Sequence, residues 1–299
     1  MSTPIPWVSH RILYRRAVLE AEVENTSPLR IGSGREPPLG STVDLAVIRI
    51  NRNGRDEPYI PGTSLKGVFR SACEAVARAE KGLEVCNGLS RSTCMDVKQV
   101  GGLQLREHVE SRLRNNMVEE AVRDFYKYAC LMCKIFGAPS FGAHVAFGDA
   151  YVQGSYSFAT RTGIAIDRRT GAVFTGALYT VEYVEPGAVF KVDINTTNLP
   201  NYALGLLARI LDMIDRGEVR VGGFKTRGFG ELRLRSLKIR IHDLRYPGKT
   251  LLEPLDEKDI ELDLAGLVDV RDGFIHVEEK WREVLDKLGE VWTHAKLKD

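Results

Sequence analysis

The order in which the hydrophobic periodicity of this chain changes is what most limits how it can fold. The segment RILYRRAVLEAEVE alternates from Ala17 onward, with Ala21 and Val23 standing among charges, which predicts a first strand. In IPGTSLKGVFRSACEAVARAEKG the period changes to that of a helix. Pro61 and Gly62 end the extended run, Thr63 or Ser64 is placed to cap the first turn, and Leu65, Phe69, Ala72, Cys73 and Val76 share one face. On that face Cys73 is a small core residue. HVAFGDAYVQG, from His144, predicts a second strand. LYTVEYVEPGAVFKVDIN, from Leu178, predicts a third with a turn or bulge at Pro186 and Gly187. In NYALGLLARILDMIDRG, Leu204, Leu207, Leu211 and Ile214 form a helical stripe that Gly217 can end. VGGFKTRGFGELRLRSLKIRIH is a glycine-rich loop leading into a fourth strand.

Strand, helix, strand, strand, helix, strand is the order of an α+β, ferredoxin-like (RRM-like) core. Two insertions interrupt it. A cysteine-bearing, partly helical one spans about residues 81–143. A projecting hairpin spans about residues 157–177, with Asp167 and Thr170 at its turn and Arg161, Arg168 and Arg169 along it. RIGSGREPPLG is a loop, TVDLAVIRI a short β-rich run and NRNGRDEP a turn. Residues 1–242 thus form the core domain and residues 243–299 a C-terminal extension. The extension ends in an amphipathic helix with Trp281, Leu285, Leu288 and Trp292 on one side.

With a formal charge of +2, the chain as a whole neither demands nor excludes a nucleic-acid partner, so a basic footprint has to be local. No apolar run is long enough for a signal peptide or a membrane span, which predicts a cytoplasmic protein. Five cysteines in such a chain point to thiols or metal ligands rather than disulfides.

Residues 218–240 supply the local footprint: seven basic residues stand against two acidic ones. Gly222, Gly223, Gly228 and Gly230 allow close backbone approach and leave amides for phosphate oxygens. Lys225 and Arg227 add charge, and Phe229 offers a ring to a base. The competing reading is a tight loop before an edge strand, its arginines solvated. PGTSLKG is not a Walker motif, because it lacks the upstream glycine and a following Ser or Thr. The start of that helix nevertheless suits anions, with Ser64, Lys66 and Arg70 along a polyanion's path or, alternatively, serving only as a cap and solvated charge. Cys130 and Cys133 form a C-x2-C pair, with Cys86 and Cys94 upstream. Two readings stand: a structural four-cysteine zinc site, in which His108 could replace one thiol, or buried thiols on an apolar helix.

Two segments carry a resemblance. YIPGTSLKGVFRSACE resembles the first-helix motif of the repeat-associated mysterious protein (RAMP) superfamily, and VGGFKTRGFGELRL resembles its glycine-rich loop. RIGSGREPPLGSTVDLAVIRI resembles the backbone-forming subunits of type III CRISPR effector complexes, antiviral assemblies. The resemblance covers about residues 12–240. It implies a filament of copies of this chain, together with other type III subunits, gripping a CRISPR RNA and its complementary target RNA. It makes the hairpin with Arg161, Arg168 and Arg169 a thumb that kinks the guide–target duplex. It places Asp44 where the family's target-cleaving aspartate lies. An aspartate with an ordinary pKa of about 3.9 is a feeble base. The resemblance therefore implies either a divalent metal such as Mg or Mn at Asp44 or the steering of a 2′-hydroxyl, which would make the chain an endoribonuclease. Alternatives are a guide-binding subunit that does not cut, a repeat-RNA processing enzyme, which usually has two such domains and a histidine (His10 lies awkwardly near the terminus), and a zinc-stabilised scaffold.

Overall fold

The structure, a computed structural model, describes residues 6–32, 43–52, 54–174 and 176–298. Along the chain, β1 (Arg15–Asn25) is followed by the hairpin of β2 (Arg49–Arg52) and β3 (Arg55–Ile60), then by α1 (Gly62–Lys81). The cysteine-bearing segment holds α2 (Cys94–Val97), the small hairpin β4 (Gln99–Val100) and β5 (Leu103–Gln104), and α3 (Leu105–Arg114), α4 (Val118–Tyr128) and α5 (Leu131–Phe136). Next come β6 (Val145–Phe147), β7 (Ala150–Gln153), a second hairpin of β8 (Phe158–Gly163) and β9 (Tyr179–Val184), β10 (Val189–Thr197), α6 (Asn201–Asp215) and β11 (Leu232–Asp243). The remainder gives β12 (Leu251–Leu252), β13 (Leu262–Asp263), β14 (Asp269–Arg271), β15 (Phe274–Val277) and α7 (Trp281–His294).

Alternation in β1 buries Ala17, Leu19, Ala21 and Val23 on one side and turns Arg16 and Glu22 to solvent. This strand is the sheet's centre. The order is β14-β15-β11-β1-β10-β7-β3-β2, with β6 also on β10, and every pairing is antiparallel. α1 and α6 touch each other and the buried face of the sheet, α1 at β6 and α6 at β11. The face of α1 expected from sequence is the one that packs: Leu65, Phe69, Cys73 and Val76 are buried. No helix among the described residues is long and apolar enough to cross a membrane.

Three local expectations change. The run from Leu178 is two strands, because the chain leaves the hairpin at Val184 and enters the main sheet at Val189. The segment read as the turn NRNGRDEP is mostly ladder: β2 and β3 pair, and Tyr59 and Ile60 continue onto β7. Neither Thr63 nor Ser64 caps α1. Pro61 is its N-cap residue, and the Gly62 amide donates to Asp149 Oδ1 at 2.8 Å, a carboxylate supplied by the break between β6 and β7.

The extension is built into the fold. Its β15 lengthens the sheet beside β11, and Trp292 of α7 is fully buried, its indole donating to Glu80 Oε2 at 2.7 Å. Arg15, 1% exposed, ties these parts together. Its Nε and Nη2 donate to Asp243 Oδ2 at 3.0 and 2.8 Å, Nη2 also to the Glu253 carbonyl, and Nη1 to Asn201 Oδ1. Burial alone pushes the Asp243 carboxyl up. The Arg15 charge and hydrogen bonds from Arg245 and Arg15 outweigh it and hold that carboxyl below its ordinary range. Burial likewise weakens the hold of Arg15 on its proton, but from so high a starting value that the guanidinium stays charged.

Asp243→Ala strands a buried guanidinium and is expected to cost about 3–5 kcal/mol in urea denaturation. The folded carboxyl has the lower pKa, so its contribution is fully present above about pH 4 and is lost as pH falls through the folded value. The gap between wild type and variant therefore narrows in acid. A gap that stays constant with pH contradicts this account.

Candidate nucleic-acid interface and thiol cluster

Antiparallel pairing on both sides of β1 sets the beginnings of β10 and β11 beside its end: Glu24 opposes Val189 and Asn25 opposes Leu232. The segment after β1, the β8–β9 hairpin and the glycine loop (residues 221–230) must therefore meet there. Asn25, fully buried, fastens the junction. Its Nδ2 donates to the carbonyls of Ser27 (3.0 Å) and Glu185 (2.9 Å), and its Oδ1 accepts from the Ala188 amide at 2.9 Å. Sequence reading did not single it out, since a strand-end asparagine carries no signal of its long-range partners.

The loop closes on the segment after β1. Gly222 (φ +88°) and Gly230 (φ +85°) adopt a conformation other residues avoid, and Cβ atoms there would stand 2.5 Å from the Arg30 carbonyl oxygen and 2.1 Å from that of Val221. The Gly223 amide, expected to await phosphate, donates to the Arg30 carbonyl at 2.8 Å. Phe229 is also not the ring expected. It is 2% exposed, enclosed by Tyr183, Phe224 and the Arg161 guanidinium, so it anchors the loop and presents no open face for a base. Phe224 is half-buried at φ +58°, with Tyr179 stacked on it at 6.4 Å. Lys225, Arg227 and Gly228 are exposed, and Arg227 donates to the Tyr179 hydroxyl.

The glycine loop and the first turns of α1 line one cleft of about 610 Å³. Gly222, Gly223 and Lys225 form one wall, and the small residues Ser64, Gly67, Ser71 and Ala75 form the other. The spacing of these four lets a bulky chain lie against the helix. Arg30, which sequence reading left inside a loop motif, reaches toward this region, its guanidinium 5.6 Å from the Phe224 ring and its Nε on the Leu45 carbonyl at 3.4 Å. Burial weakens proton binding by Arg30, and burial together with the Arg70 charge does so for Lys66; neither has a carboxylate partner among the described residues. Arg70 points elsewhere. It is paired with Glu74 at 3.1 Å and approaches the Gly137 carbonyl (3.4 Å) and Cys86 Sγ (3.8 Å), so it does not line the cleft.

The expected hairpin projects. β8 and β9 pair from Phe158–Val184 to Gly163–Tyr179, and Ile166 bridges Val173 near the tip. Arg161 sits at its base over Phe229, Arg168 is exposed, and Arg169 is paired with Asp167 at 3.2 Å. Exposed apolar side chains, Ile164, Ile166, Val173, Phe174 and Leu178, accompany the arginines. Asp44 lies beside β9, exposed, its carboxylate accepting the Thr180 amide at 2.6 Å near the tip-side end of the β8–β9 ladder. Residues 33–40 of the glycine- and proline-rich segment fall outside the described residues.

The four cysteines meet: the sulfurs of Cys86, Cys94, Cys130 and Cys133 lie within 4.8 Å of one another. Hydrogen bonds inside the cluster hold Cys86 (from Cys130 and Cys133) and Cys130 (from Cys133) below an ordinary thiol. The same contacts push Cys94 and Cys133, both facing Cys130, above it. His108 is not part of the cluster; it pairs with Asp124 at 2.8 Å. Among the described residues this is the single grouping of three or more metal-ligating side chains, and Asp44 stands outside it.

The sequence model of the RAMP superfamily matches residues 22–233 of this chain. Among solved structures, a chain of the Type III-B Cmr-beta bound to cognate target RNA, seen by cryo-EM, is 16% identical with a TM-score of 0.45. The likeness covers 75% of this chain and 61% of that one. No curated protein matches.

Asn25→Asp sets a carboxylate oxygen against carbonyls that the amide now satisfies. It is expected to cost about 1–3 kcal/mol and to loosen all three converging segments. Hydrogen exchange at Val184, Ala188 and Gly230 measures it; unchanged protection there contradicts a fastening role.

Proposed function

We infer that this chain, which belongs to the RAMP superfamily, is a guide-RNA-binding backbone subunit of a type III CRISPR effector complex and cuts complementary target RNA beside its thumb hairpin. The strand order β11-β1-β10-β7 with α1 and α6 on one face supports reading residues 1–242 as a ferredoxin-like core, interrupted by the cysteine segment and the hairpin. One observation carries the inference: the cleft where the glycine loop faces the small side of α1. Lys225 is exposed there, and Arg30, half-buried beside Gly32 and Gly223, has no carboxylate partner among the described residues; Glu218 and the Glu231-paired Arg220 also line the cleft, while Lys66, one turn before Arg70 on α1, lies outside its lining. Partly desolvated cations with no carboxylate favour a polyanion, which restores the electrostatic interaction that water no longer supplies. The exposed apolar residues of the hairpin suit a wedge between stacked bases.

The amide that donates to Asp44 belongs to Thr180, next in sequence to Tyr179, whose ring and hydroxyl engage Phe224 and Arg227 of the loop. In this reading Asp44 accepts a hydrogen bond from the 2′-hydroxyl of a nucleotide splayed by the hairpin. The 2′-oxygen attacks the adjacent phosphorus, the bond to the 5′-oxygen breaks, and the proton passes to that leaving oxygen. The products are a cyclic phosphate and a 5′-hydroxyl. In-line placement supplies most of the acceleration. Among the described residues no group of three or more ligating side chains includes Asp44, and no step is assigned to Mg or Mn.

Assembled with a matched guide, the protein is expected to cut complementary RNA at evenly spaced positions. Asp44→Ala should slow this by about a hundredfold or more with guide binding intact. Unimpaired cutting by the variant removes Asp44 from the mechanism. A wild type that binds but never cuts reduces the chain to a structural subunit, and cleavage of free repeat RNA marks a processing enzyme instead.

The thiol cluster is read as a structural zinc site. Tetrahedral zinc with Zn–S near 2.3 Å sets sulfurs about 3.8 Å apart, a spacing compatible with the 4.8 Å envelope here. Zinc would fix α2 and α5 to the segment after α1, and four thiolate ligands leave no position for catalysis. Elemental analysis is expected to give about one zinc per chain, and Cys133→Ser or chelation should lower the melting temperature and release the metal. Metal-free protein with the same melting temperature contradicts this.

A further inference from the structure

The solvent face of the sheet, opposite α1 and α6, carries a second basic and aromatic site that the cleft does not use. Alternation in β11 buries Leu237, Ile239 and Ile241 and turns Arg240 and His242 outward. Cross-strand pairing sets Arg16 of β1 directly opposite His242, and Arg240 directly opposite His276 of β15. Phe274 then lies over both histidines, 4.3 Å from the His242 ring at an interplanar angle of 32° and 6.4 Å from His276. These residues and Arg271 line a hollow of about 420 Å³, within the range of small-ligand sites.

The charges of this hollow are unusual for a sheet surface. Nearby on the same face, cations meet carboxylates: Lys191 lies 3.2 Å from Glu20, and Arg235 lies 2.8 Å from Glu24. Neither the Arg16 nor the Arg240 side chain has an ion pair or hydrogen bond to any described residue, although they share the hollow with one acid, the exposed Asp272. Arg271 is held by Asp269 at 3.0 Å. Two guanidiniums without ion pairs, beside the half-exposed Phe274 ring and two histidines tilted against it, match a nucleotide: phosphate to the arginines, base to the aromatic cluster.

We propose that Arg16, Arg240, His242, Phe274 and His276 form a second single-stranded RNA-binding site. It is separate from the glycine-loop cleft. From Leu232, where the loop ends, to Arg240 the strand advances roughly 26 Å, and the two sites face opposite sides of the sheet. Much of the platform, Phe274, His276 and Arg271, comes from the extension beyond residue 243, which gives that extension a binding role in addition to its packing. An RNA strand leaving the cleft would have a place to be held on the far face. The platform stands on its own geometry and does not need the guide-binding assignment.

The test uses the full chain and a fluorescein-labelled single-stranded RNA of about six nucleotides, followed by anisotropy. Measurements are made in a Lys225→Ala/Arg227→Ala background, which weakens the cleft and leaves the platform whole. Adding Phe274→Ala, or adding Arg16→Ala with Arg240→Ala, is expected to reduce the residual affinity about fivefold to a hundredfold, at an unchanged melting temperature. The arginine pair should also flatten the salt dependence. Ultraviolet crosslinking should place the RNA on the peptide containing Phe274. Equal affinity in all backgrounds, or crosslinks confined to the glycine loop, overturns the proposal. So does polyglutamate competing as well as RNA, which would show a patch that senses only negative charge, as for an acidic protein partner. Failure of the guide-binding reading would appear separately, as a Lys225→Ala/Arg227→Ala variant that binds RNA as tightly as wild type.

Discussion

Everything in this structure that bears on function hangs from the double antiparallel pairing of β1. A strand hydrogen-bonded on both edges fixes where its neighbours begin, and here both β10 and β11 begin where β1 ends. The hairpin before β10 and the glycine loop before β11 have no freedom to lie apart. Asn25 completes the constraint by satisfying polar backbone groups that a buried junction would otherwise leave unpaired. The β8–β9 hairpin, the glycine loop and Asp44 are held together by backbone geometry first and by side-chain contacts second.

Charge follows the same division. The chain is close to neutral, yet Arg16 and Arg240 stand without ion pairs among the described residues in the hollow on the solvent face, and Lys225 and Arg30 do so at the cleft beside α1. Charge is matched most completely at Arg15 and Asp243, where burial makes a partner obligatory. An unmatched cation that is partly desolvated weakens the free protein and favours an anionic ligand.

The cysteine segment is tied to the cleft helix through Arg70. One turn beyond Lys66, this residue turns away from the cleft toward Glu74 and Cys86. The two features read separately in the sequence, a helix for anions and a cluster for metal, occupy two sides of one helix.

The sequence by itself determined the period of each element, because burial on one face writes itself into residues two or 3.6 apart. The face of α1 and the stripe of α6 were legible in that way, and the C-x2-C spacing with two upstream cysteines pointed to the thiol grouping. The split of the third strand was not, because residues 179–184 and 189–197 have the same β-forming character and differ only in partner. Nor was the cap of α1, which comes from Asp149, 87 residues further on. Phe229 and Phe224 are both loop phenylalanines; only the approach of Tyr183 and Arg161 buries the first and leaves the second partly open. The platform of Arg16, Arg240 and Phe274 joins three strands distant in the chain, so tertiary structure alone decided it: pattern records which side of a strand faces water, and pairing decides which residues share that side.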